Sequence, residues 1–181
     1  MWHKYQGKVD CKIILEEWVR IGGENMFRKI LFPTDFSDTS KQVIPYLKYL
    51  QSIGKITGTE EIVILHVVDT CIRFPALCAA EEYCKTIDKM MVQAEDQARD
   101  VAKTLNDDGI KTSVRIEQGW PLREILRVEI EEDVELIVIG SHGKSNIEEM
   151  LLGSVSENVI RKAKCPVLVV KRLAPRTSTK C

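Results

Sequence analysis

Four short apolar runs punctuate the chain: RKILFPT at Arg28–Thr34, EIVILHVVD at Glu61–Asp69, VELIVIG at Val134–Gly140 and CPVLVVKR at Cys165–Arg172. None shows the polar alternation of a strand with one wet face. Runs of this length and composition suit strands covered on both faces, and that demand dictates most of what can surround them. A fifth stretch, KTSVRIEQG, does alternate Ser/Val and Arg/Ile, which predicts a strand with one exposed face near a sheet edge.

The segments between the runs read as helices. FSDTSKQVIPYLKYLQSIG can be capped by Ser37 or Asp38 and runs to about Gly54, with Pro45 kinking it or marking a late start. From about Ala79 to Asn106, residues Ile87, Met90, Met91, Ala94, Ala98, Val101, Ala102 and Leu105 recur at three and four, and Gly109 follows as a stop. Pro121 opens PLREILRVEIEED in the first-turn position that suits proline. SVSENVIRKAK precedes the last run. The order β-α-β-α-β-α-β-loop-α-β implies a parallel sheet with helices on both faces.

Composition narrows the function classes. The chain has 181 residues, with 26 Lys plus Arg against 27 Asp plus Glu and a formal net charge of −1. No global positive field is available for sequence-independent nucleic-acid binding, so no nucleic-acid partner is expected. No apolar run approaches the roughly 20 residues of a membrane span, and the start is too broken by charge for a secretory signal. The expected location is the cytoplasm, with no membrane partner. There Cys11, Cys71, Cys78, Cys84, Cys165 and Cys181 read as thiols rather than a disulfide framework. Cys71, Cys78 and Cys84 cluster without C-x2-C spacing, and a metal or redox role stays the alternative.

The segment from Val138 to Ser156 carries the most chemistry. Gly140 and Gly143 sit where the chain leaves a buried strand, at the end where open α/β sheets bind ligands. Without Cβ they let backbone N–H groups approach a ligand, although two glycines alone could merely shape a turn. Gly153 precedes Ser154, which opens a helix, and a helix N-terminus offers free N–H donors and partial positive charge to a phosphate. Ser154 and Ser156 add hydroxyls. Gly143-Lys144-Ser145 imitates a Walker A ending, but that motif needs glycine at position 138, which is valine.

The pattern G-x2-G-x9-G-[ST] at Gly140, Gly143, Gly153 and Ser154, with Pro33-Thr34-Asp35-Phe36-Ser37, Leu65-His66-Val67-Val68-Asp69 and Pro166-Val167-Leu168-Val169-Val170, resembles the universal stress protein family. The resemblance runs from about Met26 to Arg172. It implies an open five-stranded parallel sheet of order 3-2-1-4-5, Rossmann-like and similar to the adenine nucleotide alpha hydrolases. It also implies a homodimer through the last strand, Val167–Lys171, and ATP as ligand, with Mg²⁺ or Mn²⁺. By position, Asp35 would meet the adenine or ribose side, Pro33 and Thr34 would line that pocket, and Val67 would give backbone contacts to adenine. Ile139 and Gly140 would border the ribose, and Gly143, Gly153, Ser154, Val155 and Ser156 would hold the phosphates. Asp35 could instead be a helix cap. An apolar last strand left unpaired is an aggregation hazard that two-fold pairing, or the polar tail, would relieve.

His66 and His142 both lie near strand ends, but no carboxylate–histidine set has metal spacing, so structural or loop roles are expected. Ser141-His142 is not a catalytic pair by adjacency. The acidic run Glu129, Glu131, Glu132, Asp133 and Glu135 reads as a solvated helix end. Trp120 is a packing anchor or an interface residue.

The leading expectation is a dimeric ATP-dependent switch in stress response, acting on an unknown protein partner. The alternatives are a slow ATPase or nucleotidyl-transfer enzyme, for which no general base or arginine finger is identifiable, and a nucleotide-free structural dimer. The domain is expected at 26–172, followed by a frayed tail at 173–181. Residues 1–25 carry four basic and four acidic side chains and fall outside the alternation. They form either a short packed helix or upstream sequence, since Gly22-Gly23-Glu24 can be spelled as a ribosome-binding purine run before Met26.

Overall fold

The computed structural model describes residues 27–53, 58–70, 81–142 and 152–171. The extension 1–25, Met26, Gly54, Cys71, Cys78, Gly143 and the tail 173–181 lie outside the described residues. The elements run β1 (Lys29–Pro33), α1 (Asp38–Lys41), α2 (Ile44–Ser52), β2 (Glu61–Asp69), α3 (Glu81–Asn106), β3 (Thr112–Gly119), α4 (Pro121–Glu131), β4 (Leu136–Gly140), α5 (Ser154–Lys162) and β5 (Val167–Val170). The five strands form one parallel sheet in the order β3-β2-β1-β4-β5.

Unbroken apolar strands are explained by what lies above and below them. Ile30, Phe32, Ile62, Ile64, Leu136 and Val138 pack with Val43, Leu47 and Leu50 of the α1–α2 stretch and with Ala102 and Leu105 of α3. Their neighbours Leu31, Val63, Leu65, Ile137 and Ile139 point to the other face, against Leu122, Ile125 and Val128 of α4 and Val159 of α5. A period of two sends successive side chains to opposite faces, so both faces need apolar residues and the run cannot alternate. Each fully buried aliphatic side chain contributes about 1.5–3 kcal/mol by leaving water.

Pro45 marks a late start. The predicted single helix is two: Ser37 caps α1 by accepting from the Ser40 N–H, and α2 opens with Pro45 in its first turn. Proline there lacks only an N–H that would have no helical partner. Gly109 ends the long helix at φ +77°, with its N–H on the Asn106 carbonyl, a left-handed turn that favours glycine. β3 is at the sheet edge, as its alternation predicted.

The acidic run is only in part a solvated helix end: Glu131 and Asp133 are exposed, and the other three are not. Glu129 is buried, Glu132 pairs with Lys29 and Arg115, both at 3.1 Å, and Glu135 binds Arg28 at 2.8 Å. Glu131 is the most exposed of the paired carboxylates and meets Arg127 at 2.6 Å and Arg115 at 3.1 Å. The basic partners come from the start of β1, from β3 and from α4 itself, and only the folded sheet brings them together.

Hydrogen bonding to Lys29 holds the Glu132 carboxyl below its ordinary range. Partial burial opposes the charge of Glu135, but the Arg28 bonds outweigh it and lower that group too. A carboxylate depressed in the folded state adds stability above its unfolded pKa of about 4.3 and loses it as pH falls through the folded value. Thermal melts between neutral pH and pH values below the carboxylate range should therefore show Glu135→Gln losing less stability on acidification than the parent protein. Parallel losses would contradict the pairing.

Candidate functional site

The strand order reverses between β1 and β4, which pair through Ile30 with Leu136 and Leu31 with Ile137. The crevice outside their carboxyl ends is where ligands of open α/β sheets bind. Two loops meet there, one leaving β1 and one leading into α5.

The first loop is built around Thr34. Pro33, buried, ends β1 opposite Leu65, and the Thr34 N–H continues the ladder to the Leu65 carbonyl at 2.8 Å. The Thr34 hydroxyl shares a short hydrogen bond with Ser40 and accepts the Phe36 N–H at 3.0 Å. Asp35 accepts the Ser37 N–H at 3.1 Å, which pins its carboxylate at the turn. Asp35 is thus not the cap of α1; that position is Ser37. Phe36 is buried with φ +59°, a conformation bulky residues rarely adopt.

β2 outruns β1 at this end. The Leu65 carbonyl points at β1, so the N–H and C=O of Val67, two residues on, point the same way, beyond the last β1–β2 pair at Pro33 and Leu65. This is the placement that backbone contacts to a flat ring would need.

The second loop returns through Ser141, a residue the sequence did not single out. Ile139 and Gly140 end β4 opposite Val169 and Val170. The Ser141 N–H donates to the Val170 carbonyl at 2.8 Å, and the Ser141 carbonyl accepts from the Gly153 N–H at 2.7 Å and the Ser156 hydroxyl at 2.9 Å. Gly153 is the cap residue of α5 and no side chain caps the helix. The first intrahelical bond is Glu157 N–H to the Gly153 carbonyl, so the amides of Ser154, Val155 and Ser156 are those a helix leaves without helical partners. Ser156 is buried and its single hydroxyl proton is shared between the Ser141 and Gly153 carbonyls, each 2.9 Å away, so what this residue offers outward is its amide. Ser154 is exposed at the first helical position, and Val155 leans on the α4-side core. Gly140 is packed against α1: a Cβ there would lie 3.5 Å from Thr39 and Ser40.

The structure thus brings Pro33, Thr34, Asp35, Val67, Ile139, Gly140, Gly153, Ser154, Val155 and Ser156 to one end of the sheet. Thr39, Ser40 and Phe36 join them unannounced, as do Ser141 and His66, which had no place in the site by sequence. Thr39 and Ser40 could have been found as small polar residues directly after a buried strand. The left-handed Phe36 has no sequence signal.

Other groups have ordinary explanations. His66 contacts the Thr34 carbonyl and the Phe36 ring, a structural role. The Ser141 hydroxyl lies 3.0 Å from His142 Nδ1. Burial and the neighbouring Glu129 push the Cys165 thiol up to about 12, which keeps it protonated and unreactive. Cys84 is an exposed free thiol. Trp120 is 57% exposed, so it is not a packing anchor. Among the described residues no three His, Cys, Asp or Glu side chains converge to hold a metal, and no helix is long and apolar enough to cross a membrane.

The sheet is doubly wound, and the α5 N-terminus and the β1 turn both lie at its carboxyl end, which defines an open α/β protein of the Rossmann-like class. The family model for universal stress proteins matches residues 26–171, and the chain belongs to that family. Universal stress protein MJ0577 of Methanocaldococcus jannaschii is 38% identical, over 81% of this chain and 96% of the relative. The solved structure of MJ0577 has a TM-score of 0.73 and covers 83% of this chain and 99% of its own. Universal stress protein MJ0531 of the same organism is 35% identical over 88% of this chain and 90% of the relative. A family protein from Arabidopsis thaliana, solved with AMP bound, is 18% identical with a TM-score of 0.55, over 82% of this chain and 96% of its own, a likeness of fold.

Proposed function

We propose that this protein binds ATP in the β1–β4 crevice and works in the cytoplasm as a dimeric, nucleotide-dependent switch in stress response. The supporting observation is the convergence of the Asp35 turn with the three amides of Ser154, Val155 and Ser156 across the point where the strand order reverses. Asp35 would accept from ribose hydroxyls, Pro33, Thr34 and Ile139 would line the sugar and base, and the Val67 backbone would meet adenine. Gly140 and Gly153 would let the chain approach closely, with Gly143 of the intervening loop completing the phosphate contacts. Mg²⁺ or Mn²⁺ would be carried on the phosphate oxygens, since such ions are held largely by substrate phosphates and water. Differential affinity of ATP for two conformations would drive the switch and alter a surface read by a protein partner.

Denaturing the purified protein and weighing any released small molecule tests the reading, together with calorimetric titration of ATP and Mg²⁺ or Mn²⁺. Adenine nucleotide in the supernatant, or saturable ATP binding, is the expected result. The absence of both would overturn it.

The dimer is proposed to form through β5. The Ile137 N–H bonds to the Pro166 carbonyl and the Ser141 N–H to the Val170 carbonyl, so residues 166, 168 and 170 turn their polar backbone to β4. Val167, Val169 and Lys171 then turn theirs outward, an apolar edge suited to antiparallel pairing with a second copy. Val169→Pro removes one outward N–H and leaves the β4 ladder whole, a position where proline is tolerated. Light scattering should show a folded monomer. A Val169→Pro protein that stays dimeric would place the contact elsewhere.

A further inference from the structure

A single side chain contacts the residues on both sides of Asp35. His66 Nδ1 lies 2.7 Å from the carbonyl oxygen of Thr34, the residue before it. A carbonyl only accepts, so Nδ1 carries the proton and donates. The same imidazole stacks on Phe36, the residue after it, with ring centroids 4.7 Å apart and planes at 28°. Phe36 needs such support because φ +59° is unfavourable for a bulky side chain. Its ring is buried beside Val68 of β2 and Ala94 and Ala98 of α3, with the imidazole stacked on it. The Thr34 N–H and hydroxyl are engaged by Leu65, Ser40 and Phe36, so the His66 bond fixes the remaining polar atom of that residue.

We propose that His66 is a positioning residue for the nucleotide site: its donor and its ring together hold the left-handed turn that aims the Asp35 carboxylate. The proposal rests on the ATP-binding reading. Neither half of the imidazole is replaceable by an aliphatic residue. Leucine would fill the space and leave the Thr34 carbonyl without its donor. Asparagine can place an amide N–H near the Nδ1 position but offers Phe36 no ring. A histidine that merely fills space would be served equally well by any side chain of similar size.

His66→Ala and His66→Asn separate these roles. Amide hydrogen exchange of the nucleotide-free protein reads the turn directly, through the Phe36 and Ser37 N–H groups bonded to Thr34 and Asp35. His66→Ala should speed both amides at least about tenfold while core amides such as that of Leu47 keep their protection. Calorimetric ATP affinity should fall roughly thirtyfold in His66→Ala and be recovered only in part, to about tenfold below the parent, in His66→Asn, which supplies the donor without the ring. Unchanged exchange at Phe36 and Ser37 in His66→Ala, or parental ATP affinity in both His66→Ala and His66→Asn, overturns the assignment. If the parent protein itself takes up no ATP, the functional reading fails, and the role given to His66 falls with it. Normal parental binding with unchanged exchange in His66→Ala overturns the His66 proposal alone.

Discussion

Gly153→Val should weaken ATP binding by about a hundredfold, near 2.7 kcal/mol, while the protein still folds. A bare Cβ at Gly153 would sit 3.4 Å from the Ser141 carbonyl oxygen, 3.5 Å from His142 Cα and 3.5 Å from the Ser156 hydroxyl. Those are ordinary contacts, so Gly153→Ala fits and should lose less than about tenfold. Valine adds two carbons beyond Cβ in a space already closed on three sides. They must push on the Ser141 carbonyl, which accepts from both the Gly153 N–H and the Ser156 hydroxyl. Breaking that junction tilts the first turn of α5 and its three amides away from the phosphate position. Valine is also a poor cap residue, which should cost about 1 kcal/mol of stability. Calorimetric titration with ATP and Mg²⁺, beside a thermal melt, separates the two effects. Parental affinity in Gly153→Val would mean that the phosphates do not lie at this helix.

The second large effect is one of stability. Glu129 is 4% exposed, and one of its oxygens accepts the backbone N–H of Lys164 at 2.6 Å and of Cys165 at 2.8 Å. That carboxylate ties α4 to the turn between α5 and β5. Glu129→Ala removes two charge-assisted bonds and strands two part-buried donors, a loss of about 3 kcal/mol. For a domain of this size the melting temperature should fall by roughly 9 °C. Glu129→Gln keeps an oxygen for the same donors and should lose only about 1 kcal/mol. Because the turn leads into β5, the alanine variant should also weaken the self-association proposed for that strand. A Glu129→Ala protein that melts within about 2 °C of the parent would show that water satisfies the two amides instead.

Glu129 also shows where sequence reading fails. It stands four residues after Ile125 and seven after Leu122, on the buried stripe of α4, so the period places it inward. Its neighbours Glu131, Glu132, Asp133 and Glu135 drew it into an apparently solvated acidic run. Periodicity reports which way a side chain points and says nothing about partners. Those partners, the backbone of residues 164 and 165 and the side chains of Lys29, Arg28 and Arg115, arrive from positions far away in the chain.

The site divides in the same way. The placement of Gly140 at a strand end, of Gly153 and Ser154 at a helix opening and of Asp35 after β1 was legible because each leaves a local trace. The partners of Ser141, Phe36 and His66 were not, because they come from contacts between segments distant in the chain. The sequence by itself determined the five-stranded parallel sheet: a strand apolar at every position must be covered on both sides, and helices in the connections supply the cover. It also determined that β3 would lie at an edge and that Pro45 would interrupt the first helical stretch. Only the tertiary structure decided which side chains hold the two loops in place. Hydrogen bonds such as His66 to Thr34, Ser156 to Ser141 and Glu129 to Cys165 join residues 32, 15 and 36 positions apart. Such bonds act over about three ångströms, a proximity that exists only once the sheet has formed.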